Sequence, residues 1–372
     1  MEHIYLDYNA TAPLRPEAKA AMLAVMGPPG NPSSVHQQGQ AARAIVETAR
    51  EHVAKLTDAD PASVIFTSGG TEANWQALHG YPDRTIITTP VEHMAVLSAA
   101  PDALLVDVDA DGLISCDHLE HLLKTYKDMA LVSVMTANNE TGVIQPLDQV
   151  IALAHEYGAM VHSDAVQSCG KGARNGFIGF EASGVDLLTI SAHKMGGATG
   201  IGALLVRDGV KMPPLIAGGG QESRRRGGTE NLTGIAGFGA AAITIMENMT
   251  DMSDHFDQLA RWHKWLEDEI SNAAPDAVIF GQGVKRLANT SAIAMPGRRA
   301  ETQVMQFDLA GIAVSAGAAC SSGKVANSHV LEAMKAGDLA QQTIRVSSGW
   351  NSKQSDFERF VEIWLQVYQK QV

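Results

Sequence analysis

Short apolar runs alternate with amphipathic segments over the first two thirds of the chain. Runs rich in β-branched residues predict seven strands: Val64–Phe66, Thr85–Thr88, Leu104–Val108, Ala130–Met135, Met160–His162, Leu187–Ile190 and Ala203–Val206. Apolar residues at three- and four-residue spacing predict the helices between them: Ala41–Leu56, Thr71–His79, Asp117–Tyr126 and Leu147–Tyr157. This alternation indicates an α/β fold with a mainly parallel sheet covered by helices. Many of the strands lack clean polar alternation, as expected when both faces of a sheet are buried.

The pattern changes after about residue 239. Two adjoining helices are predicted first, and strands and helices then alternate to the end of the chain: helices Thr233–Met249 and Asp254–Ile270, strand Ser291–Met295, helix Thr302–Leu309, strand Ile312–Ser315, helix Ser328–Lys335, strand Thr343–Ser347 and helix Ser355–Tyr368. This order predicts a smaller α/β domain. No Pro- or Ser-rich linker precedes it, so we expect the two parts to pack tightly.

Composition narrows the classes of function. The 372 residues are 45% hydrophobic and 19% charged, which is typical of a folded globular chain, and the net charge of −13 disfavours general binding to nucleic acid or to anionic membrane surfaces. No apolar run is long enough to span a membrane, and the first residues lack the pattern of a secretory signal. Three cysteines without a CxxC motif suit a reducing, cytoplasmic compartment.

A glycine-rich turn links the first predicted strand to a helix. Its sequence is Thr-Ser-Gly-Gly-Thr-Glu-Ala-Asn, residues 67–74, and it includes Gly70 and Thr71. Backbone N–H groups at the start of a helix bind phosphate, and the Thr71 hydroxyl could add a further hydrogen bond. An ordinary strand-to-helix turn with Thr71 as the N-cap would have the same sequence, so both interpretations stay open for this motif alone.

Two ionisable residues follow predicted strands of the same sheet. Asp164 comes two residues after Met160–His162, and Lys194 follows Leu187–Ile190 and precedes two glycines. Ligands bind at the carboxyl ends of parallel strands, and a lysine in an apolar pocket can form a Schiff base with an aldehyde. Taken singly, Asp164 could be a helix N-cap and Lys194 could extend to solvent.

The three features together match one cofactor. A phosphate site, an acid for a ring nitrogen and a lysine for an aldehyde are what pyridoxal 5′-phosphate (PLP) requires. His93, in the segment Val-Glu-His after Thr85–Thr88, supplies a ring that could stack on the pyridine. We therefore expect a PLP site at the edge of the sheet.

At this point the chain resembles a known family over nearly its whole length. It is similar to the cysteine desulfurases of the NifS/IscS type, which are class V aminotransferases of PLP-dependent fold type I. The motifs that carry the resemblance are YLDYNAT at 5–11, GNPSSVH at 30–36, TSGGTEAN at 67–74, VEH at 91–93, ANNETG at 137–142, DAVQ at 164–167, SAHK at 191–194, GGGQE at 218–222, GGTEN at 227–231 and SAGAACSSG at 315–323.

The resemblance implies a domain arrangement and a reaction. A large PLP-binding domain, residues 14–248, would contain a mainly parallel seven-stranded sheet. A small domain, residues 1–13 and 249–372, would carry a loop with the nucleophile Cys320. The reaction would convert L-cysteine to L-alanine and leave a persulfide on Cys320, which would supply sulfur to an acceptor protein such as an iron–sulfur scaffold.

The resemblance also assigns roles to residues at the cofactor. Lys194 would carry PLP as a Schiff base, Asp164 would pair with the ring nitrogen, and Gln167 would donate to the ring oxygen. His93 would stack on the ring and relay protons. Gly70, Thr71, Ser191 and His193 would hold the phosphate.

The remaining implied roles concern the substrate and a second subunit. Asn139 and Arg345 would bind the amino-acid end of the substrate, with Arg345 binding the carboxylate in a bidentate manner. Thr229 would reach the phosphate of the partner subunit, so the working unit would be a homodimer.

Cys320 has the surroundings of a reactive thiol. It lies among small residues in Ser-Ala-Gly-Ala-Ala-Cys-Ser-Ser-Gly, whereas structural cysteines are more often found inside apolar elements. The spacing to Ser328 favours the long-loop branch of the family over the branch that resembles selenocysteine lyases. The order of preference between cysteine and selenocysteine stays open. We expect Cys116 and Cys169 to be structural.

Several positions depart from the family pattern, and two motifs suggest other functions. Ala192, Gly197, Ala198 and Ala318 replace residues that are common in the family, with consequences for rate or for the acceptor surface that stay open. A GxGxxA run begins at Gly237 within a predicted helix, so we reject a dinucleotide site there. His118 and His121 lack further ligands, and we expect no metal site.

Two alternatives to a desulfurase remain. The first is a PLP-dependent aminotransferase or lyase of the same family that acts on another small amino acid, with Cys320 incidental. The second is a PLP-bound adaptor that docks a partner and has lost turnover, which the presence of Lys194, Asp164 and Cys320 disfavours.

Overall fold

A computed structural model describes residues 3–171, 177–317 and 327–369. Over these residues the chain forms three β-sheets. Their strands are β1 Ile4–Tyr5, β2 Val64–Thr67, β3 Thr85–Thr88, β4 Leu104–Leu105, β5 Ala130–Ser133, β6 Met160–Asp164, β7 Leu187–Ser191, β8 Gly202–Val206, β9 Val278–Ile279, β10 Thr290–Ala294, β11 Ile312–Ala313, β12 Ser315–Ala316 and β13 Thr343–Ser347.

Helices cover the sheets and connect their strands. They are α1 Pro16–Val25, α2 Gln37–Thr57, α3 Gly70–His79, α4 Met94–Leu97, α5 Cys116–Tyr126, α6 Leu147–Glu156, α7 Phe180–Ser183, α8 Leu232–Glu247, α9 Met249–Ala273, α10 Ala300–Leu309, α11 His329–Ala333 and α12 Gln354–Gln369. No helix within the described ranges is long and apolar enough to cross a bilayer.

The seven strands predicted in the first two thirds of the chain all join one sheet. Its order is β2-β8-β7-β6-β5-β3-β4, and β8 runs antiparallel to both of its neighbours, while the other pairs are parallel. The central strands β5, β7 and β8 are buried at every position. Burial on both faces explains why these runs are apolar throughout, and the prediction of a mainly parallel α/β sheet is confirmed.

The GxGxxA run lies where two helices pack closely. Gly237 and Gly239 are within α8, and a Cβ atom at Gly239 would lie 2.6 Å from Cβ of Ala49 in α2. Glycine therefore allows α8 to approach α2. The helical position confirms that this run is not a strand-to-helix nucleotide motif.

The C-terminal part forms a separate antiparallel sheet of order β12-β13-β10-β9. The prediction of one strand over Ile312–Ser315 is wrong in one respect. Ile312–Ala313 pairs in parallel with β1, whereas Ser315–Ala316 pairs with β13 in the four-stranded sheet. The chain changes sheets at Val314, and an apolar run alone carries no signal for such a change.

Helix α1 was not predicted, and its sequence explains why. Ala18 is the only fully buried side chain of Pro16–Val25, so the segment lacks an apolar stripe at helical spacing. The helix contacts α8. Its proline in the first turn suits a helix start, but it was too weak a signal without the periodic pattern.

Candidate active site

A pocket of about 220 Å³ lies where β5, β6 and β7 end at their carboxyl sides. It brings together nine of the predicted site residues from different parts of the sequence: Gly70, Thr71, His93, Asn139, Asp164, Gln167, Ser191, His193 and Lys194. Two larger cavities of about 700 Å³ lie elsewhere and contain none of the predicted residues. The sheet edge, rather than the largest cavity, therefore concentrates the ionisable groups.

Lys194 reaches back to the N-terminal segment. It ends a single 3₁₀ turn that follows β7, and its Nζ donates to the backbone carbonyl oxygens of Asn9 and Ala10, the latter at 3.0 Å. The lysine is half-buried and lines the pocket.

Asp164 ends β6 and is 7% exposed. Its Oδ1 accepts from the backbone N–H of Val166 at 2.9 Å, and its Oδ2 accepts from Nδ2 of Asn74 at 2.7 Å. The Val166 contact closes a turn, and no helix begins there, so the N-cap interpretation of Asp164 is wrong. Both described donors are neutral, which leaves the carboxylate without a described cationic partner.

Asn74 also lines the pocket, although no role was assigned to it from the motif at 67–74. It lies in α3 one turn beyond Thr71, so its side chain faces the same pocket, and its Oδ1 is buried without a described hydrogen-bond partner. The i to i+3 spacing from Thr71 was the signal that could have identified it.

The end of the pocket predicted to bind phosphate combines the start of α3 with the end of β7 and the turn after it. Gly70 and Thr71 begin the ten-residue helix, Ser191 ends β7, and His193 lies in the turn that follows. Burial, with a smaller effect of Lys194, lowers the pKa of His193 to about 4, so this imidazole is neutral at physiological pH. His193 Nδ1 lies 3.2 Å from the Thr11 hydroxyl. The end is thus rich in neutral hydrogen-bonding groups.

His93 precedes the short helix α4 and faces the pocket. Its Nδ1 accepts from the backbone N–H of Ala95 at 3.1 Å, so the neutral ring carries its proton on Nε2. Burial lowers the pKa of His93, and the Asp164 carboxylate partly opposes this effect. The ring is held as a neutral imidazole with one fixed tautomer.

Glu92, next to His93, is fully buried and was given no role from sequence. Its Oε1 accepts from the backbone N–H of Met135 at 2.9 Å and from Oγ1 of Thr89 at 3.1 Å. Burial raises the pKa of Glu92 to about 8, with Asp164 adding to the effect. This carboxyl group is largely protonated at neutral pH.

Arg345 lies in the middle of β13 and does not line the pocket itself. Its Nη2 forms an ion pair with Oδ1 of Asp7 at 2.6 Å, and its Nη1 donates to the carbonyl oxygen of Asn139 at 2.9 Å. Its Nε and the Asn139 Oδ1 are both buried without a described partner. The Asp7 contact was not predicted, and it occupies one side of the guanidinium.

Thr229 is separate from the other predicted residues. It lines a different cavity with Ser68, Arg226 and Asn231. Within one chain, therefore, Thr229 does not reach the pocket of Lys194, and its role at a partner subunit stays a prediction.

Cys320 and Ala318 lie outside the described residues. The described chain before them ends at residue 317, directly after β12, in which Ser315 is paired with Arg345. Cys320 follows Ser315 by five residues in the sequence. Its role as the nucleophile stays a prediction.

Comparison with known proteins identifies the family. Residues 4–360 match the model of the class V aminotransferases. A cysteine desulfurase of Cereibacter sphaeroides is 40% identical over 98% of this chain and 95% of its own length. The cysteine desulfurase IscS of Dictyoglomus turgidum is 37% identical over 99% of this chain and 95% of its own. The chain belongs to the cysteine desulfurases of the class V aminotransferase family.

The fold agrees with a solved member of this family. The crystal structure of a NifS-like protein from Rickettsia africae is 34% identical and superposes with a TM-score of 0.89, covering 99% of this chain and 100% of the other. The α/β architecture of PLP-dependent fold type I is thereby confirmed for this desulfurase.

Cysteine desulfurases depend on PLP, and the pocket fits that cofactor. Asp164 is a buried carboxylate whose described partners are both neutral, so a protonated ring nitrogen would supply the missing positive charge. Lys194 provides a primary amine in the same pocket, and the start of α3 provides N–H groups for a phosphate.

Ala192 and Gly197 lie close together in the turn that contains Lys194. Ala192 is fully buried, and a Cβ atom at Gly197 would lie 2.9 Å from Cβ of Ala192 and 3.1 Å from its carbonyl oxygen. The close approach of this turn to itself therefore favours glycine at 197. Ala198 is buried in the same turn and packs into the core.

Proposed function

We propose that this desulfurase transfers the sulfur of L-cysteine to Cys320 and releases L-alanine. The observation that carries the proposal is the placement of Lys194 and Asp164 in one pocket at the end of the large sheet. Bound PLP supplies an electron sink for the carbanion that forms at the substrate Cα. The residues of the chain bind, orient and exchange protons around that chemistry.

At the cofactor, Lys194 would hold PLP through a covalent link to Nζ, and Asp164 would hold the proton of the ring nitrogen. Gln167 would donate to the ring oxygen, while Gly70, Thr71, Ser191 and His193 would hold the phosphate. His93 would stack on the ring, and its Nε2 proton would be available to the reacting atoms because Nδ1 is occupied by the Ala95 N–H. The amine of Lys194 would be the base that accepts the Cα proton of the substrate.

For the substrate, Asn139 and Arg345 bind the amino-acid end. Among the described residues, Oδ1 of Asn139 and Nε of Arg345 have no hydrogen-bond partner, and these two buried polar atoms, which a ligand could satisfy, support this role. Because Asp7 occupies Nη2 of Arg345, bidentate binding of a carboxylate would require this ion pair to rearrange.

In the sulfur step, the Cys320 thiolate attacks the sulfur of the bound cysteine. A sulfur–sulfur bond forms as the substrate Cβ–S bond breaks, and the bonding pair passes to Cβ. Protonation of that carbon yields alanine, so carbon is reduced while the two sulfurs become the persulfide. No external oxidant is needed. The outer sulfur of the Cys320 persulfide then passes to an acceptor protein such as an iron–sulfur scaffold.

We also propose a homodimer in which Thr229 contacts the phosphate of the other subunit. The separation of Thr229 from the pocket of its own chain supports this arrangement. Each chain would divide into residues 14–248 and a unit of residues 1–13 and 249–372. Pairing of β1 with β11 supports grouping the N-terminal segment with the C-terminal part. The sparse cysteines support a cytoplasmic location.

The decisive experiment measures both products and the modified residue. Purified holoenzyme is incubated with L-cysteine, alanine and sulfide are assayed, and the peptide that contains Cys320 is examined by mass spectrometry. We expect an extra sulfur on Cys320 and nearly complete loss of alanine release in Cys320→Ala. Cys116→Ala, at a half-exposed thiol, is the matched control.

Equal rates of alanine release in Cys320→Ala and the parent enzyme would refute the mechanism. A steady conversion to the pyridoxamine form with a keto acid would instead favour the aminotransferase alternative.

A further inference from the structure

A second lysine, Lys171, is buried beside the pocket and has no role in the mechanism above. It is 4% exposed, and its Nζ donates to Oδ1 of Asn9 at 2.8 Å and to Oε1 of Gln167 at 3.0 Å. Both partners are neutral amide oxygens. The charged, titratable groups that act on Lys171 are Lys194 and Arg345, and both are cations.

The chemical type of the surroundings indicates the charge of this lysine. Both acceptors of Lys171 Nζ are neutral amide oxygens, so no described partner supplies a negative charge that would stabilise a buried ammonium group. Burial, reinforced by the two nearby cations, lowers the pKa of Lys171 well below its usual value. The surroundings therefore favour the neutral form.

Lys171 also determines how the Gln167 amide is oriented. Rotation of a glutamine amide by 180° exchanges its oxygen and nitrogen. Lys171 donates to Oε1, while the Asn9 carbonyl can only accept and requires Nε2, which lies 3.0 Å away. The Asn9 carbonyl selects this orientation, and the hydrogen bond from Lys171 stabilises it. Because Gln167 lines the pocket, the second Nε2 hydrogen is available to a ligand there.

We propose that Lys171 is a positioning residue which, as a neutral amine, holds the Gln167 amide with its nitrogen toward the pocket. The inference rests on the proposed function, because the acceptor of the Gln167 hydrogen is the ring oxygen of PLP. A hydrogen bond donated to this oxygen stabilises its anionic form. It thereby lowers the pH at which the Schiff-base proton shared with the oxygen is lost.

The first test is a pH titration of the holoenzyme absorbance. Lys171→Met keeps an apolar stem of similar length and removes both donors, so the Gln167 amide is held less firmly, by the Asn9 carbonyl alone. We expect the midpoint of the titration to rise by about one pH unit, a tenfold change in proton affinity. Lys19→Met, at an exposed lysine, should leave the midpoint unchanged.

A double-mutant cycle shows whether Lys171 acts through Gln167. In a Gln167→Ala background, Lys171→Met should cause no further shift of the midpoint. The proposal is overturned if Lys171→Met titrates like the parent enzyme, or if its shift is equally large in the Gln167→Ala background.

The second test uses the apoenzyme and needs no cofactor. An unfolded lysine titrates near pH 10.4, so between the lower folded pKa and that value the unfolded chain binds one more proton. As pH rises toward the unfolded value of about 10.4, the unfolding equilibrium constant of the parent should therefore fall by up to tenfold more per pH unit than that of Lys171→Met.

Equal pH slopes for the parent and Lys171→Met would overturn the neutral state of Lys171. Neither test requires cysteine turnover. Failure of the enzyme to release alanine would thus refute the proposed function, while both tests of Lys171 could still be carried out and interpreted.

Discussion

The edge of the seven-stranded sheet and the interior of the four-stranded sheet position functional side chains in different ways. At the edge, Asp164 and Lys194 follow the ends of strands, and Asp164 takes one of its hydrogen bonds from Val166, two residues later. In the four-stranded sheet, Arg345 lies inside β13, and its partners Asp7 and Asn139 come from distant parts of the chain.

The two arrangements predict different consequences for a substitution. The side chains of Asp164 and Lys194 have described hydrogen-bond partners that are all neutral groups, so their replacement should remove chemistry and leave the fold intact. Arg345 joins three segments through a buried charge, so disturbing it should change stability and substrate binding together.

The largest expected effect is on the strand-end side of the comparison. Lys194→Ala removes the amine that would link PLP, and alanine release should fall by about a thousandfold or more. The visible absorbance band of the Schiff base should disappear, while the free energy of unfolding of the apoenzyme should change little. Lys19→Ala is the control, and retained turnover in Lys194→Ala would contradict the assignment.

Asp7→Ala tests the contacts of Arg345 in the four-stranded sheet. Removing this carboxylate leaves the buried Arg345 guanidinium without its ion-pair partner, so the free energy of unfolding should fall by about 3 kcal/mol. The KM for cysteine should rise as well. Glu181→Ala breaks a more exposed pair with Arg207, and it should cost about 1 kcal/mol or less in denaturant unfolding. Similar losses in the two variants would show that Arg345 is not specially dependent on Asp7.

Asn74→Ala tests whether Asp164 depends on a hydrogen bond from outside its own turn. It removes the 2.7 Å hydrogen bond to Asp164 but leaves the one from the Val166 N–H. We expect kcat and the affinity for PLP each to decrease about tenfold, the value of one hydrogen bond to a charged group. Kinetics and cofactor titration measure the effect, with Asn248→Ala at an exposed position as the control. An unchanged enzyme would mean that Asp164 needs only its own turn.

A change in the pH dependence of stability is expected at Glu92. Its folded pKa, about 8, is above its unfolded value, so stability is full below about pH 4.5 and is lost as pH rises toward 8. The loss should approach 1.4 kcal/mol per pH unit at most. Glu92→Gln, which keeps the shape without the proton, should flatten this part of the stability profile. Parallel profiles for the two proteins would contradict a protonated Glu92.

Most of the large sheet could be predicted because its signal is local. Runs such as Ala130–Met135 and Leu187–Ile190 are apolar whichever strands they neighbour, and burial on both faces produces that pattern directly. Motifs at their ends, including Asp164 and Lys194, could then be assigned to one edge of the sheet, since parallel strands share it. The match to the class V aminotransferases and the solved structure of a relative confirm this fold.

Other features depend on partners far away in the sequence. Nothing near Arg345 indicates Asp7, which is 338 residues distant, and nothing near Lys171 indicates that Asn9 accepts its hydrogen bond. The change of sheet after Ala313 was missed for the same reason, since it is set by pairing with β1.

The amino-acid sequence by itself determined the elements of the large sheet and the types of group at its edge, because periodicity and strand-end motifs act over a few residues. Only the tertiary structure decided which groups are charged and which way they face. Burial of Glu92 and Lys171, the ion pair of Arg345 and the orientation of Gln167 all depend on the solvent excluded and the partners supplied by distant segments. Protonation and hydrogen-bond direction respond to that assembled environment, which no single stretch of sequence contains.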